Sequence, residues 1–321
     1  MKINLITPAK KHSKNGNRTT ANRWAGFLRN SGHRVDINTE YDGTPCDVMI
    51  ALHAWRSAAA IDLYTSLYPT SPLIVALGGT DVNTFLKTEP EVTTRSMDKA
   101  DALVCLHDQI GEELPNHLLR KLQVITQSAS PLNTPRKPSK RNFDICVIGH
   151  LRDEKDPLRA AKAIRLLPSQ SKIRLFHLGK AHNEDWANAA IKEQSENPRY
   201  HWLGEVTKGR VRREYSKSRM MVLSSNQEGG ANVISEAIVA GVPVIASNIP
   251  GNSGLLGKDY PGLYPLGDER ALADKLIQAE NDQDYLARHE AACKALLPRF
   301  LPEQESHAWN KLVRDVAKQK P

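Results

Sequence analysis

Two doubly wound α/β domains are the fold class that this 321-residue sequence predicts, and three observations predict it. Short apolar segments of strand length alternate with amphipathic segments of helical length, the pattern of parallel βαβ units. The alternation breaks once, near the middle, at a stretch rich in proline and basic residues. The length suits two domains of about 150 residues, each able to bury its own core.

The first domain opens on the strand MKINLIT, which runs into a polar, basic loop. TTANRWAGFLRNSGH is an amphipathic helix, expected to begin at about Thr19 and to stop at Gly32. RVDIN, DVMIALH, PLIVALGG and ALVCLH follow as short apolar strands. Residues 128–142, SASPLNTPRKPSKRN, show no periodicity and read as an interdomain linker. The second domain begins at FDICVIGHLR, with KIRLFHLG, YHWLG, MMVLSS and GVPVIAS as further strands. Its helices are DPLRAAKAIRLL, NEDWANAAIKEQ, KGRVRREYSKS and ANVISEAIVA, and GDERALADKLIQAENDQDYLARHEAACKALL is largely helical. PEQESHAWNKLVRDVAKQ is a terminal helix with Trp309, Leu312, Val313 and Val316 on one apolar stripe. The domains are therefore expected at 1–136 and 143–300. Ligands of such sheets bind outside the carboxyl ends of the strands, so the two domains are expected to face a cleft.

Composition narrows the function classes. Hydrophobic content of 40% and charged content of 25% are those of an ordinary globular protein. No apolar run approaches the roughly 18 residues of a membrane span, and the start reads as a strand rather than a signal peptide. Cys46, Cys105, Cys146 and Cys293 are scattered, three of them in or beside apolar runs, as thiols of a cytoplasmic protein would be. A net charge of +8 attracts anions, but the few aromatics are not interleaved with basic residues, which disfavours nucleic acid. Asp282-Gln283-Asp284 has the acid spacing of a metal site, yet it lies in a charged helix with no strand before it. It reads as a solvated face, so no metal or other cofactor is expected.

The chemistry concentrates in residues 228–247, EGGANVISEAIVAGVPVIAS. MMVLSS is a strand and ANVISEAIVA a helix ended by Gly241 and Pro243, which leaves 227–230 as the loop between them. Glycines there let a ligand approach the backbone, and the helix start offers unpaired N–H groups to an anion. Gly229, Gly230, Ala231, Asn232 and Val233 are the candidate donors. Glu228 stands at the strand end, and Glu236, about a turn into the helix, can reach back toward the same ligand. A phosphate on the amides, with hydroxyls for the two carboxylates, describes a nucleotide sugar. A bland reading also fits: a glycine-rich turn with one capping acid and one solvated acid.

Glu228-x7-Glu236, followed by Ala237, Gly241, Pro243 and Val244, is similar to the signature of the GT-B glycosyltransferases of the large nucleotide-sugar-dependent family 4. The resemblance implies that Glu228 contacts the donor sugar, Glu236 the ribose, and the intervening amides the diphosphate. It also implies that the terminal helix 302–319 crosses back onto the N-terminal domain. A supporting family motif, Gly-Arg-Leu-x3-Lys after a strand, neutralises the leaving diphosphate. Here the run is Gly149-His150-Leu151-Arg152-Asp153-Glu154-Lys155, so Lys155 matches, His150 replaces the arginine, and Arg152 is a candidate substitute. At a second family position, Ala76-Leu77-Gly78-Gly79-Thr80-Asp81 has Gly78 in place of a histidine, which implies a roomier pocket. The strand YHWLG ends near the expected uracil site, where the backbone from Leu203 and Gly204 onward can read the base.

A closer resemblance runs along nearly the whole chain, carried by TPAKKHSKNGNRTTANRWA, ALHAWRSA, ALGGTD, HLRDEKDPLRAA, RYHWLGE, EGGANVISEA and GNSGLLGKDYPG. Together these look like the selenosugar synthases of selenoneine biosynthesis. The resemblance implies UDP-N-acetylglucosamine and selenophosphate as substrates and a carbon–selenium bond at the anomeric centre. It also implies links to selenophosphate synthetase and to the enzyme that consumes the selenosugar. For the acceptor anion, the candidates are the basic loop with Lys10, Lys11, Lys14, Asn15, Gly16, Asn17 and Arg18, then Gly78, Gly79 and Thr80, then His53. A solvated loop and a structural histidine are the competing readings. Selenium is a low-pKa nucleophile that needs little general base. Two other functions stay open: an ordinary glycosyltransferase with a hydroxyl acceptor, and a basic α/β protein that binds nucleotides or nucleic acid.

Overall fold

Six parallel strands make each of two sheets. In the first, β1 (Lys2–Ile6), β2 (Arg34–Asn38), β3 (Val48–Leu52), β4 (Leu73–Ala76), β5 (Ala102–Cys105) and β6 (Leu122–Val124) lie in the order β2-β1-β3-β4-β5-β6. In the second, β7 (Phe143–Ile148), β8 (Ile173–Leu178), β9 (Tyr200–Trp202), β10 (Met220–Leu223), β11 (Val244–Ser247) and β12 (Leu263–Tyr264) lie in the order β12-β11-β10-β7-β8-β9. The computed structural model describes residues 1–11 and 16–318. It divides into one unit made of Met1–Gln127 with the segment from Pro302 onward, and a second made of Ser128–Leu301. Among the described residues no helix is long and apolar enough to cross a membrane.

The central strands are buried on both faces, which is why VMIAL, LIVA and FDICVI read as near-continuous apolar runs. Alternate residues of β7 enter two different cores. Ile145 and Val147 pack with Ala160, Ile164, Leu272 and Leu276 on one side, while Cys146 and Ile148 pack with Ile234, Ile238 and Leu255 on the other. The chain winds from β7 outward to β9, then returns to the other side of β7 as β10. That reversal opens a crevice at the carboxyl ends of β7 and β10. In the first unit the same reversal falls between β1 and β3.

The terminal helix, Pro302–Lys318, belongs to the first unit. Trp309 and Val313 join the core of Ile3, Leu5 and Leu28, and the Trp309 ring lies 4.4 Å from that of Trp24. Glu305, buried beside them, accepts a hydrogen bond from Trp24 Nε1 at 2.7 Å and pairs with Arg23 at 3.0 Å.

Several boundaries differ from the reading of the sequence. The first helix is Gly16–Asn30, three residues longer at its start than expected, because Arg18 is buried on the same face as Ala21, Ala25 and Leu28. β6 and a short helix, Pro250–Leu256, carry too little periodicity to be read from sequence. The long helical stretch near the C-terminus is two helices, Glu269–Asn281 and Gln283–Leu296, split at Asp282. Asp282 accepts from the Tyr285 N–H at 2.9 Å as an N-cap rather than lying on a helix face. Residues 128–142 group with the second unit instead of standing between domains. The Arg136 guanidinium donates to the carbonyls of Gly241 and Ser218, and Lys137 N–H to that of Ser216, contacts that composition does not disclose.

Behind the β7–β8 pair, His177 is fully buried. Its Nε2 lies 3.1 Å from the Gly149 carbonyl, which only accepts, so Nε2 carries the proton and Nδ1 accepts from the Tyr200 hydroxyl at 3.0 Å. Desolvation lowers its pKa to about 4 against the weaker opposing bond to Gly149, and His289 is lowered likewise.

Trp309→Ala should destabilise the first unit by about 3–5 kcal/mol, read by denaturant unfolding. Because His177 protonates more readily in the unfolded chain, its contribution is complete above pH ~6.5 and lost as pH falls toward ~4. That loss should amount to about 3 kcal/mol at most, and His177→Gln should flatten the acid limb of stability against pH.

Candidate functional site

At the crevice of the second unit, the segment after β7 and the segment after β10 are tied together through their backbones. Asp153–Lys155 forms one 3-10 turn, which Asp156 leaves in the left-handed conformation with φ of 41°. Asn226 N–H donates to the Glu154 carbonyl at 2.8 Å, and Asn226 Nδ2 to the Asp153 carbonyl at 3.0 Å. The Ser224 hydroxyl donates to the Asp156 carbonyl at 2.9 Å. These bonds set Lys155 against Glu228. Lys155 Nζ makes a close ion pair with Glu228 Oε1, both side chains being largely shielded from solvent. Two residues separated by 73 positions thus form one charged pair.

Residues absent from the sequence reading hold Glu228 in place. Ser225 Oγ donates to Glu228 Oε1 at 2.6 Å, and Ser247 Oγ donates to the Ser225 carbonyl at 2.6 Å. Asn252 Nδ2 closes the chain with bonds of 3.0 and 3.1 Å to Ser247. Gly251 passes so close that a Cβ there would lie 2.2 Å from the Glu228 carbonyl oxygen. The stretch PGNSG after β11 was the available signal, since only a missing side chain permits that approach.

Gly229 and Gly230 lead into the helix Asn232–Val239, with Gly230 at φ of 123°. The N-cap is Ala231, whose side chain makes no capping bond, so Asn232 and Val233 start the helix without a side-chain acceptor. Such a terminus favours an anion. Glu236 lies one turn in, where Oε2 accepts from the buried Tyr215 hydroxyl at 3.2 Å. On the other flank, Lys180 N–H donates to His150 Nδ1 at 3.1 Å. Partial burial, then the charges of Arg152, Lys155 and Lys180, lower the His150 pKa. Leu203 N–H bonds to the His177 carbonyl and the Gly204 carbonyl accepts from Gly179, which places both at the end of β9. Arg152 is not brought to the Lys155–Glu228 pair: it is exposed and lies 3.7 Å from Glu154.

In the first unit, Gly78, Gly79, Thr80 and His53 do come together, at the carboxyl ends of β3 and β4. His53 is buried with φ of 83°, unusual for a residue with a side chain. Its Nδ1 lies 2.6 Å from Asp81 Oδ1, and its Nε2 2.7 Å from Thr80 Oγ1. The fully buried Asp81 also accepts from the backbone N–H groups of Ala54, Trp55 and Gly78 at 2.8–2.9 Å. The roomier pocket expected at Gly78 is not there. A Cβ on Gly78 would sit 2.9 Å from His53 Cδ2, so the neighbouring strand supplies a histidine ring to the space. Gly16, Asn17 and Arg18 lie in the first turn of a helix rather than in a loop, with Arg18 buried. Lys14 and Asn15 lie outside the described residues. Among the described residues no three His, Cys, Asp or Glu side chains gather as metal ligands.

Comparison with known proteins places the fold and the family. A curated relative, glycosyltransferase 1 domain-containing protein 1 of Xenopus tropicalis, is 24% identical over 294 residues, covering 82% of this chain and 83% of its own. The structure of Anabaena Alr3699/HepE in complex with UDP superposes with a TM-score of 0.79 at 14% identity, over 98% of this chain and 100% of that one. Sucrose-phosphate synthase from Thermosynechococcus elongatus gives 0.77 at 16% identity, over the full length of both chains. These similarities show the GT-B fold. The family model for glycosyl transferases group 1 matches residues 133–295, half of the chain and all of the crevice described above, and the chain belongs to that family.

Proposed function

We propose that this glycosyltransferase moves the sugar of a UDP-sugar, UDP-N-acetylglucosamine in the first instance, onto selenophosphate with formation of a carbon–selenium bond. The observation that carries the donor half is the Lys155–Glu228 pair beside an uncapped helix start. A diphosphate arriving at the amides of Gly230–Val233 offers Lys155 a more highly charged partner than a carboxylate. Glu228 is then released to accept from the sugar hydroxyls, and Glu236 from the ribose. As the bond between the anomeric carbon and the diphosphate breaks, Lys155 and the helix N-terminus meet the growing negative charge. UDP as the nucleotide is supported by the fold relatives, whose structures hold UDP and UDP-glucose. Selenophosphate is supported by the run of motifs along the chain that resembles selenosugar synthases. A hydroxyl acceptor is the second reading, with the same donor half.

Purified protein with UDP-N-acetylglucosamine and selenophosphate should release UDP and yield a selenium-containing sugar by mass spectrometry. UDP release only with a hydroxyl acceptor would transfer the assignment to the second reading, and none with any UDP-sugar would refute both. Lys155→Ala should lower turnover roughly 30- to 1,000-fold, because a charge-assisted contact made in the transition state is worth ~2–4 kcal/mol. Glu236→Ala should mainly weaken UDP binding, which calorimetry can read separately from turnover.

A further inference from the structure

The turn that carries Lys155 ends on a strained residue. Asp156 has φ of 41° and ψ of 58°, a left-handed conformation that residues with a Cβ seldom adopt. Proline follows at 157, and its ring pushes the residue before it toward extended backbone. A conformation disfavoured on both counts persists only where its neighbours hold it. Ser224, just past β10, reaches the Asp156 carbonyl with its hydroxyl at 2.9 Å and the Lys155 carbonyl at 3.3 Å. The Asp156 side chain is held separately: Oδ2 accepts from Arg159 Nε at 2.7 Å. Arg159 is itself anchored, because its Nη1 makes a close ion pair with Glu269 in the first turn of the helix Glu269–Asn281. The Arg159 and Asp156 side chains are only 20% and 17% exposed, so solvent does little to screen their pairing. Arg159 also opens the helix Arg159–Arg165, so a packed element is tied back onto the turn before it. Its ion-pair partners are Asp156 and Glu269, neither of them a member of the Lys155–Glu228 pair.

We propose that Arg159, anchored on Glu269, is a positioning residue for Lys155. By holding Asp156 in the left-handed conformation it fixes where the turn 153–155 ends, and so aims the lysine ammonium at the diphosphate. The inference rests on the donor reading above, in which Lys155 meets the diphosphate, and not on the identity of the acceptor. Arg159 acts through Lys155 and not by touching substrate. Without the guanidinium, Asp156 relaxes toward the extended backbone that Pro157 favours, and the turn no longer delivers Lys155 to one place.

The test is a set of variants of the full-length protein titrated with UDP by calorimetry, which needs no acceptor. Arg159→Ala should weaken UDP binding about 10-fold, within the range of coupling between residues of one network. In the Lys155→Ala background the same change should cost less than about twofold, because nothing is left to aim. Arg159→Ala combined with Asp156→Gly should recover most of the lost affinity, since glycine enters the left-handed region without help. Glu269→Ala, which removes only the anchor, should act in the same direction as Arg159→Ala and depend on Lys155 in the same way. It serves as the second variant should Arg159→Ala fail to fold. Equal losses with and without Lys155 would overturn the proposal and leave Arg159 a structural residue. So would UDP affinity within about twofold of wild type in both Arg159→Ala and Glu269→Ala, or a loss that Asp156→Gly does not relieve. Lys155→Ala with wild-type affinity and turnover would refute the donor reading itself, and the positioning role with it.

Discussion

Two carbonyls on a single turn, those of Asp153 and Glu154, receive the side-chain and backbone N–H groups of Asn226. Most of the candidate donor site depends on that contact between the ends of β7 and β10. It joins segments far apart in sequence at the point where the strand order reverses, and so fixes where a cation and a carboxylate can meet. Buried opposite charges are costly to desolvate and hold together only where further hydrogen bonds satisfy them. Ser225 supplies one such bond to Glu228, and the Ser247–Asn252 chain supports Ser225 from behind. In this pair Lys155 and Glu228 also neutralise each other, so that neither shielded charge is left uncompensated.

The fold was largely legible in the sequence because its signals are local. Strand-length apolar runs, amphipathic helices and the glycine at Gly32 all act within a few residues of where they are read. The loop after β10 was legible for the same reason: Glu228, the glycine pair and the helix that follows lie in one continuous stretch. What stayed hidden was contact across the sheet. Gly251 matters only because Glu228 passes within 2.2 Å of its absent side chain; the glycines of PGNSG mark a close approach, but nothing near them in sequence names Glu228 as what approaches. The run 128–142 read as a linker because it lacks periodicity, yet Arg136 finds carbonyls of Ser218 and Gly241 that are distant along the chain. Arg18 read as a loop cation and is instead part of a helix face, its long stem packed inward.

The first unit carries the clearest reversal. A glycine at position 78, in place of the histidine that the family resemblance led one to expect, implied a roomier pocket. The structure shows that the vacancy is filled from β3, by a histidine whose backbone adopts an uncommon conformation to deliver it. Gly78 and His53 are thus one spatial decision written at two places 25 residues apart in the sequence.

The central claim is that the β7–β10 crevice binds the diphosphate of a UDP-sugar with Lys155 and the helix start at Gly230–Val233. A crystal structure of the protein with UDP tests it most directly. The account predicts the diphosphate on those backbone amides, Lys155 Nζ turned from Glu228 to a phosphate oxygen, and Glu236 on the ribose. UDP bound elsewhere, or in the crevice with the Lys155–Glu228 pair intact and the helix start untouched, would contradict it.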